Sequence, residues 1–309
     1  MSSPSRSSCS AAERLAQDGF AILPAAQVHL LLGEVDSAEA RAALAAARGD
    51  LPRDAYLADG GRYRYRRHAS HTIDRPLDPT AVIADVPYRP HWQPKTYNRL
   101  HGGLLRRFAE ITPETRALPL YRQLILRFGT VMAEADRLRG VGVDRWYVEA
   151  HQFRIDARSG EGRPTPEGAH RDGVDHVLLL MLGRRDIEGA KTSIYDQAGR
   201  ELTAFTLTEP WSAMLLDDRR VVHGTTPFRA VGPAPERDTL VVTYRRHGFL
   251  EPERQTSEEA LHNVASGMQC EARGAQRPRH NSELGEGAST AQQSNVPAQQ
   301  VMQSLPNTP

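Results

Sequence analysis

The sequence predicts an α+β protein, helical in its first half and all-β in its second. Three observations lead there. Up to about residue 145, apolar positions recur at helical spacing. In "PLYRQLILRFGTVMAEADRLRG" (119–140), Leu124, Phe128, Val131 and Ala135 fall on one stripe. Beyond it, short apolar runs follow one another, with turn residues every eight to fifteen positions. Many short strands at that spacing imply a sandwich, barrel or jelly roll. Lastly, both ends are polar: 1–10 is Ser-rich, and 270–309 is rich in Gln, Ser, Asn, Pro and Gly. Such segments bury too little surface to offset ordering entropy, so they are expected to be disordered. One domain remains over 11–255, with a helical part at 11–145 and a β core at 146–250.

The elements follow in order. Residues 11–19 read as a short helix, and "GFAIL" after them as a strand. "SAEARAALAAARGD" (37–50) is Ala-rich with a Ser start and a Gly stop, which signals a helix. "GRYRYRRHASH" (61–71) alternates Tyr63 and Tyr65 with Arg62, Arg64 and Arg66, a strand with one aromatic and one basic face. "NRLHGGLLRRFAEI" (98–111) and 119–140 read as helices. Within the first of these, Asn98 and Gly102–Gly103 read as helix capping or as an entry loop. Strands are expected at 146–156, 175–182, 192–196, 202–208, 212–218, 220–225 and 238–246.

Composition narrows the function classes. The net charge is +1, which gives no general bias towards nucleic acid or anionic membrane. No apolar stretch approaches a membrane span. The two cysteines, Cys9 and Cys270, lie in the polar ends. A disulfide framework is not expected, and a cytoplasmic protein fits.

One stretch carries chemistry: "GAHRDGVDHVLLLMLGRRD" (168–186). His170 and Asp172 stand two apart in a Gly-containing loop before a strand. His223 follows about fifty residues later, after Val221–Val222. Two imidazoles and one carboxylate on one face of a metal leave three positions open, the facial triad of non-haem Fe(II) oxygen chemistry. Alone, His-x-Asp is weak, and the pair also reads as a turn cap, with His223 as a strand-end histidine. The fourth element is Arg237, fourteen positions after His223, with Thr239 on the same strand face. An Arg fork beside a hydroxyl suits an acid bound at a metal. An ion pair of Arg237 with Glu236 or Asp238 is the plainer reading. Asp217 and Asp218 precede His223 closely, as a support for a metal-bound histidine or as a turn.

The order His-x-Asp, His, Arg-x-Thr on a β-rich half resembles the 2-oxoglutarate- and iron(II)-dependent dioxygenases. It is similar above all to the bacterial L-isoleucine dioxygenase-like group, which hydroxylates free amino acids. "VEAHQFRI" (148–155), "EGAHRDGVDHVLLLMLGRRDIEGAKTSIYD" (167–196), "LLDDRRVVHGTTPF" (215–228) and "RDTLVVTYR" (237–245) carry the likeness, with "YNRLHGGLLRRF" (97–108) upstream. "GAKTS" departs from it where a second Gly is expected. The resemblance implies a double-stranded β-helix (jelly-roll, cupin-like) core with flanking N-terminal helices. It implies Fe(II) on His170, Asp172 and His223, 2-oxoglutarate on Arg237 and Thr239, O2 as co-substrate and stimulation by ascorbate. It further implies hydroxylation of an unactivated C–H coupled to release of succinate and CO2. Asp172 argues against halogenation, in which a halide takes the carboxylate's place.

For the substrate, Arg64, Arg66 and Arg154 are candidate partners of an amino acid carboxylate. Strand alternation would point Gln152 and Arg154 into the barrel, and Asn98 is a further candidate. Packing and outward salt bridges are the competing readings. A peptide or a carrier-bound amino acid stays open as substrate. The "RYRYRR" run leaves room for a nucleic-acid demethylase, and a metal-free binding protein is a further alternative.

Overall fold

The computed structural model describes residues 9–98, Leu100 and 102–252. They fall in a unit that spans Met1–Glu253. Of the two polar ends, only Cys9 and Ser10 lie among the described residues.

Among the described residues, the first half supplies five α-helices, a short 3-10 turn and three strands. Helix α1 (Ala11–Asp18) opens on Ser10, whose side chain accepts from the Glu13 amide while Glu13 returns a bond, a capping box. Strand β1 (Phe20–Leu23) follows, then α2 (Ala25–Leu32), which the sequence reading left unassigned, and α3 (Ala38–Ala46), capped by Ser37. Strand β2 (Arg64–Asp74) and the short β3 (Ile83–Asp85) precede α4 (Pro113–Ala117) and the long α5 (Pro119–Leu138). From Arg145 on, the elements among the described residues are all strands: β4 (Arg145–Asp156), β5 (His176–Arg185), β6 (Ile187–Gly189), β7 (Thr192–Asp196), β8 (Glu201–Phe205), β9 (Ala213–Asp217), β10 (Val221–Thr225), β11 (Phe228–Ala230) and β12 (Glu236–Arg245).

The expected helix at 98–111 does not form. Its backbone goes elsewhere: His91 and Arg106 exchange amide–carbonyl bonds at 2.9 and 2.8 Å, and Ile111 donates to His68. Gly102–Gly103 is the cause. Gly103 has φ +76°, and a Cβ on Gly102 would sit 2.4 Å from the Asn98 carbonyl oxygen. The apolar residues that mimicked a helix stripe are instead partly exposed (Leu104, Leu105) or drawn inward (Phe108, Ile111).

Among the described residues, the named strands all pair antiparallel. The large sheet runs β1-β9-β5-β12-β4-β2-β3, and β10-β7-β8 forms a smaller one. These two sheets, the two-stranded β11-β6 pair and the flanking helices give the jelly-roll core that was expected. Period two decides what each face of the large sheet meets. Trp146, Val148 and Ala150 of β4, Leu178 and Leu180 of β5, and Leu240, Val242 and Tyr244 of β12 join the helix-side core with Leu124 and Phe128 of α5. Two polar tips are satisfied within it. Trp146 Nε1 donates to the Gly129 carbonyl, and Tyr244 Oη to that of Ile125, each at 2.9 Å. The opposite face packs Val177, Leu179 and Met181 against Ile194 and Val221 of the small sheet. Farther along the strands, that space becomes a polar cavity. Among the described residues, no helix is long and apolar enough to cross a membrane.

Candidate metal centre and its cavity

His170, Asp172 and His223 converge on the cavity. One ligand-type atom from each lies within 4.8 Å of the other two. Backbone pairing brings them there: His170 and His223 exchange amide–carbonyl bonds at 2.9 and 3.0 Å. Gly224 permits it, because a Cβ there would meet Ala169 Cα at 3.1 Å. His170 Nδ1 donates to the Gly168 carbonyl at 3.1 Å. Its Nε2 lies 3.7 Å from Asp172 Oδ1; burial opposes a charge there, but the Asp172 hydrogen bond and charge, with Glu167 behind them, raise the ring to about 9, so a metal would take the place of a proton on Nε2.

Asp218 supports this loop. Its Oδ1 accepts from the Asp172 amide at 2.9 Å, and its Oδ2 from those of Gly173 and Val174 at 2.8 and 3.1 Å. So Asp218 orients the segment that carries Asp172, whereas Asp217 pairs with Arg139 and Arg219. Burial and the neighbouring Asp172 charge push Asp218 up to about 7. For Asp172, burial works the other way from its partners, and the His170 hydrogen bond and charge prevail, bringing it down to about 2. Burial, with the His170 charge behind it, lowers His223 to about 4. A carboxylate and a neutral imidazole are the forms a metal binds.

Arg237 and Thr239 line the same cavity from β12. Arg237 is 3% exposed and pairs with neither acidic neighbour. Glu236 meets Arg154 and Arg185, and Asp238 meets Arg48 and Arg154. Arg237 Nε is buried without a hydrogen-bond partner among the described residues. Burial, and then repulsion from Arg184, bring this guanidinium down to about 10.

A second wall comes from β2, β4 and the segment 91–106. Arg64, Arg66 and Asn98 line it, as do three residues to which the sequence reading gave no role: His91, Gln93 and Arg106. Gln93 Nε2 donates to the Asp172 carbonyl at 2.9 Å and so ties this wall to the metal loop. Arg66 lies between the rings of Phe108 and Phe153, 3.7 and 4.3 Å from their centroids. Gln152 and Arg154 lie elsewhere, contrary to expectation. The odd-numbered residues of β4 (Glu149, His151, Phe153 and Ile155) line the cavity. Gln152 pairs in register with Leu240 on the helix side, and Arg154 is held there by Asp238 at 2.8 Å.

His68, His91 and His151 also bring nitrogens within 4.8 Å of one another. Arg66 decides their chemistry. Its Nη2 donates to His151 Nδ1 at 2.6 Å, and a guanidinium has nothing to accept with. His151 therefore carries its proton on Nε2 and has no lone pair left for a metal. The metal-competent group is His170, Asp172 and His223.

The 2OG-Fe dioxygenase family model matches residues 45–243. The chain belongs to that family. A crystal structure of a bsmA homolog from Methylobium petroleophilum is 42% identical to this dioxygenase, with a TM-score of 0.70, over 78% of this chain and 94% of that one. IDO from Bacillus thuringiensis shares the fold at 19% identity and a TM-score of 0.58, over 80% and 98% of the two chains. The Fe(II)/α-ketoglutarate-dependent dioxygenase TqaL does so at 19% and 0.59, over 80% and 90%. No curated protein matches the chain. Fe(II), 2-oxoglutarate and O2 are thus what this dioxygenase works with. The residues present fit that set: two imidazoles and a carboxylate for the metal and, without partners among the described residues, a buried guanidinium for a dicarboxylic acid and a buried Nδ1 on His223.

Proposed function

We propose that this dioxygenase hydroxylates an unactivated C–H bond of a free L-amino acid, coupled to decarboxylation of 2-oxoglutarate to succinate and CO2. The observation behind this reading is a pair of buried arginines without acidic partners in one cavity. Arg237 is the first. Arg106, 3% exposed, is the second: its Nη2 reaches only Gln93 Oε1, at 3.4 Å, and its Nε has no partner among the described residues. Arg64 and Arg66 share Asp54, at 2.8 and 3.7 Å. An unpaired buried cation is costly, so each orphan guanidinium marks a place for an anion. One suits the co-substrate and the other a substrate carboxylate.

In this reading His170, Asp172 and His223 hold Fe(II), and Arg237 with Thr239 receives the distal carboxylate of 2-oxoglutarate. The bound metal and co-substrate supply the oxidising power for C–H hydroxylation. The chain's part is to orient and to exclude water. Val177, Leu179 and Val241 give the cavity a dry floor, while Asp218 and Gln93 keep Asp172 in place. Arg106, with Arg66 and Asn98 beside it, fixes the substrate carboxylate.

The test is succinate release from the Fe(II)-loaded protein, with ascorbate and 2-oxoglutarate, across the common L-amino acids. Stimulation by one or a few of them is the expected result. Slow succinate release that none of them stimulates would turn the reading towards a peptide, a carrier-bound amino acid or a nucleic acid.

A further inference from the structure

Glu149 is the one carboxylate on the β4 wall of the cavity, and it is 4% exposed. Two imidazoles hold it. His68 Nε2 lies 3.1 Å and His91 Nδ1 3.3 Å from its Oε1. Both converge on the same oxygen. The other, Oε2, receives no hydrogen bond among the described residues, and no arginine or lysine comes within ion-pair distance of either.

The protonation of its neighbours follows from the contacts. An imidazole that donates one N–H to a carboxylate needs no second proton. His151, stacked on His68 with centroids 4.7 Å apart, is held neutral by the Arg66 guanidinium on its Nδ1. Burial brings His91 to about 4 against the pull of Glu149. Burial opposes the Glu149 charge as well, but His91 and the imidazole hydrogen bonds outweigh it and keep the carboxyl well below the usual carboxylate range. The result is a buried anion, fixed in direction through one oxygen, with the other oxygen free on a cavity wall. A buried anion without a cation is as costly as the reverse.

We infer that Glu149 binds the ammonium group of the substrate through Oε2, with Arg106 taking the carboxylate. This rests on the amino acid reading above and sharpens it. The substrate class becomes α-amino acids with a free, cationic nitrogen, to the exclusion of N-acylated and peptide-linked ones. His68 and His91 are positioning residues, since they aim the carboxylate. An amide nitrogen brings no positive charge, and it would leave Glu149 buried and uncompensated. A site built around such a group rejects ligands that lack the partner.

The test uses the full chain and three matched ligand series: free L-amino acids, their N-acetyl derivatives, and the simple amines with the same side chains but no carboxylate. Affinities come from titration calorimetry, and turnover from succinate release. For the wild type, free amino acids are expected to bind and N-acetyl forms to fail. Glu149→Gln keeps the shape and removes the charge, and it should weaken amino acid binding on the order of a hundredfold. Glu149→Asp keeps the charge and should retain the preference for free over acetylated ligands. Should Glu149→Gln not fold, the Glu149→Asp comparison and the wild-type ligand ranking still decide. N-acetyl forms that bind as well as free ones would overturn the assignment and leave amino acid hydroxylation standing. Amines that bind in a Glu149-dependent way, with no amino acid raising succinate, would support the ammonium site and sink the amino acid reading. Affinities unchanged by Glu149→Gln, or no binding by any amine, would overturn the ammonium site outright.

Discussion

Arg237 offers a prediction in which stability and affinity move in opposite directions. Arg237→Met removes the charge and keeps most of the length. In the ligand-free protein this guanidinium is buried, and its charged neighbour is the repelling Arg184. Burial and that repulsion bring it from 12.5 to about 10. At about 1.4 kcal/mol per tenfold step, the fall amounts to about 3 kcal/mol against the folded state. The sign is that of a base with a depressed folded value. The cost is present at neutral pH, where Arg is charged folded and unfolded, and fades only as pH rises above about 10. Removing the charge should therefore stabilise the ligand-free protein by about 1–3 kcal/mol, a rise of several degrees in melting temperature. Binding should suffer: a buried Arg–carboxylate pair lost on one side costs about 2–5 kcal/mol, so KM for 2-oxoglutarate should rise on the order of 10²- to 10³-fold. Thermal unfolding with and without 2-oxoglutarate, beside succinate release against its concentration, reads both effects. A variant that melts lower than wild type with an unchanged KM would refute the reasoning and make Arg237 a packing residue.

Three further outcomes are expected. His170→Ala, Asp172→Ala and His223→Ala should each abolish Fe(II)-dependent succinate release while far-UV circular dichroism stays native, and turnover retained in any one removes that residue from the metal site. Asp218→Asn puts an amide group where three backbone N–H groups now find a carboxylate, and should weaken metal binding by about 10- to 100-fold, measured by competition with a chelating dye; unchanged affinity would reduce Asp218 to a turn residue. Burial lowers both His71 and His91 from 6.5 to about 4. Each then contributes stability that is complete above pH 6.5 and lost as pH falls towards 4, up to about 3 kcal/mol apiece, so urea midpoints should drop between pH 7 and pH 5, and a flat profile would show that neither histidine is held neutral in the fold.

The sequence carried the fold well where periodicity was undisturbed. Capping serines at 10 and 37 and the α5 stripe mark helices, and the β half announces itself by turn spacing. His170, Asp172, His223, Arg237 and Thr239 were legible as a set because their spacing and strand context agree, and the chain does bring them into one cavity. The substrate wall was not legible, for two physical reasons. Period two shows that Gln152 and Arg154 share a face of β4, but nothing local says which face is inward when both are buried. The segment 98–111 has helix-like apolar spacing, and the Gly102–Gly103 break decides against it only together with the pairing of His91 and Arg106. Arg106 was hidden by that misreading, while His91 and Gln93 precede it in a stretch without periodicity. Glu149 stood in plain view within "VEAHQFRI", but a single acid among apolar residues gives no signal until its histidine partners are known.

The reciprocal bonds between His91 and Arg106 pinch the intervening chain into a closed loop at its base. That loop contributes Gln93 and Asn98 to the cavity, and its closure places His91 and Arg106 there too. The residues proposed for the metal and the co-substrate come from the loop before β5 and from β10 and β12. In the reading proposed above, recognition and reactivity therefore sit on separate stretches of chain. Exchange of the 91–106 loop would then alter the wall that faces the substrate and leave the other set in place, provided its ties to the Asp172 loop, Gln93 on the Asp172 carbonyl and Tyr97 against Gly173, are kept.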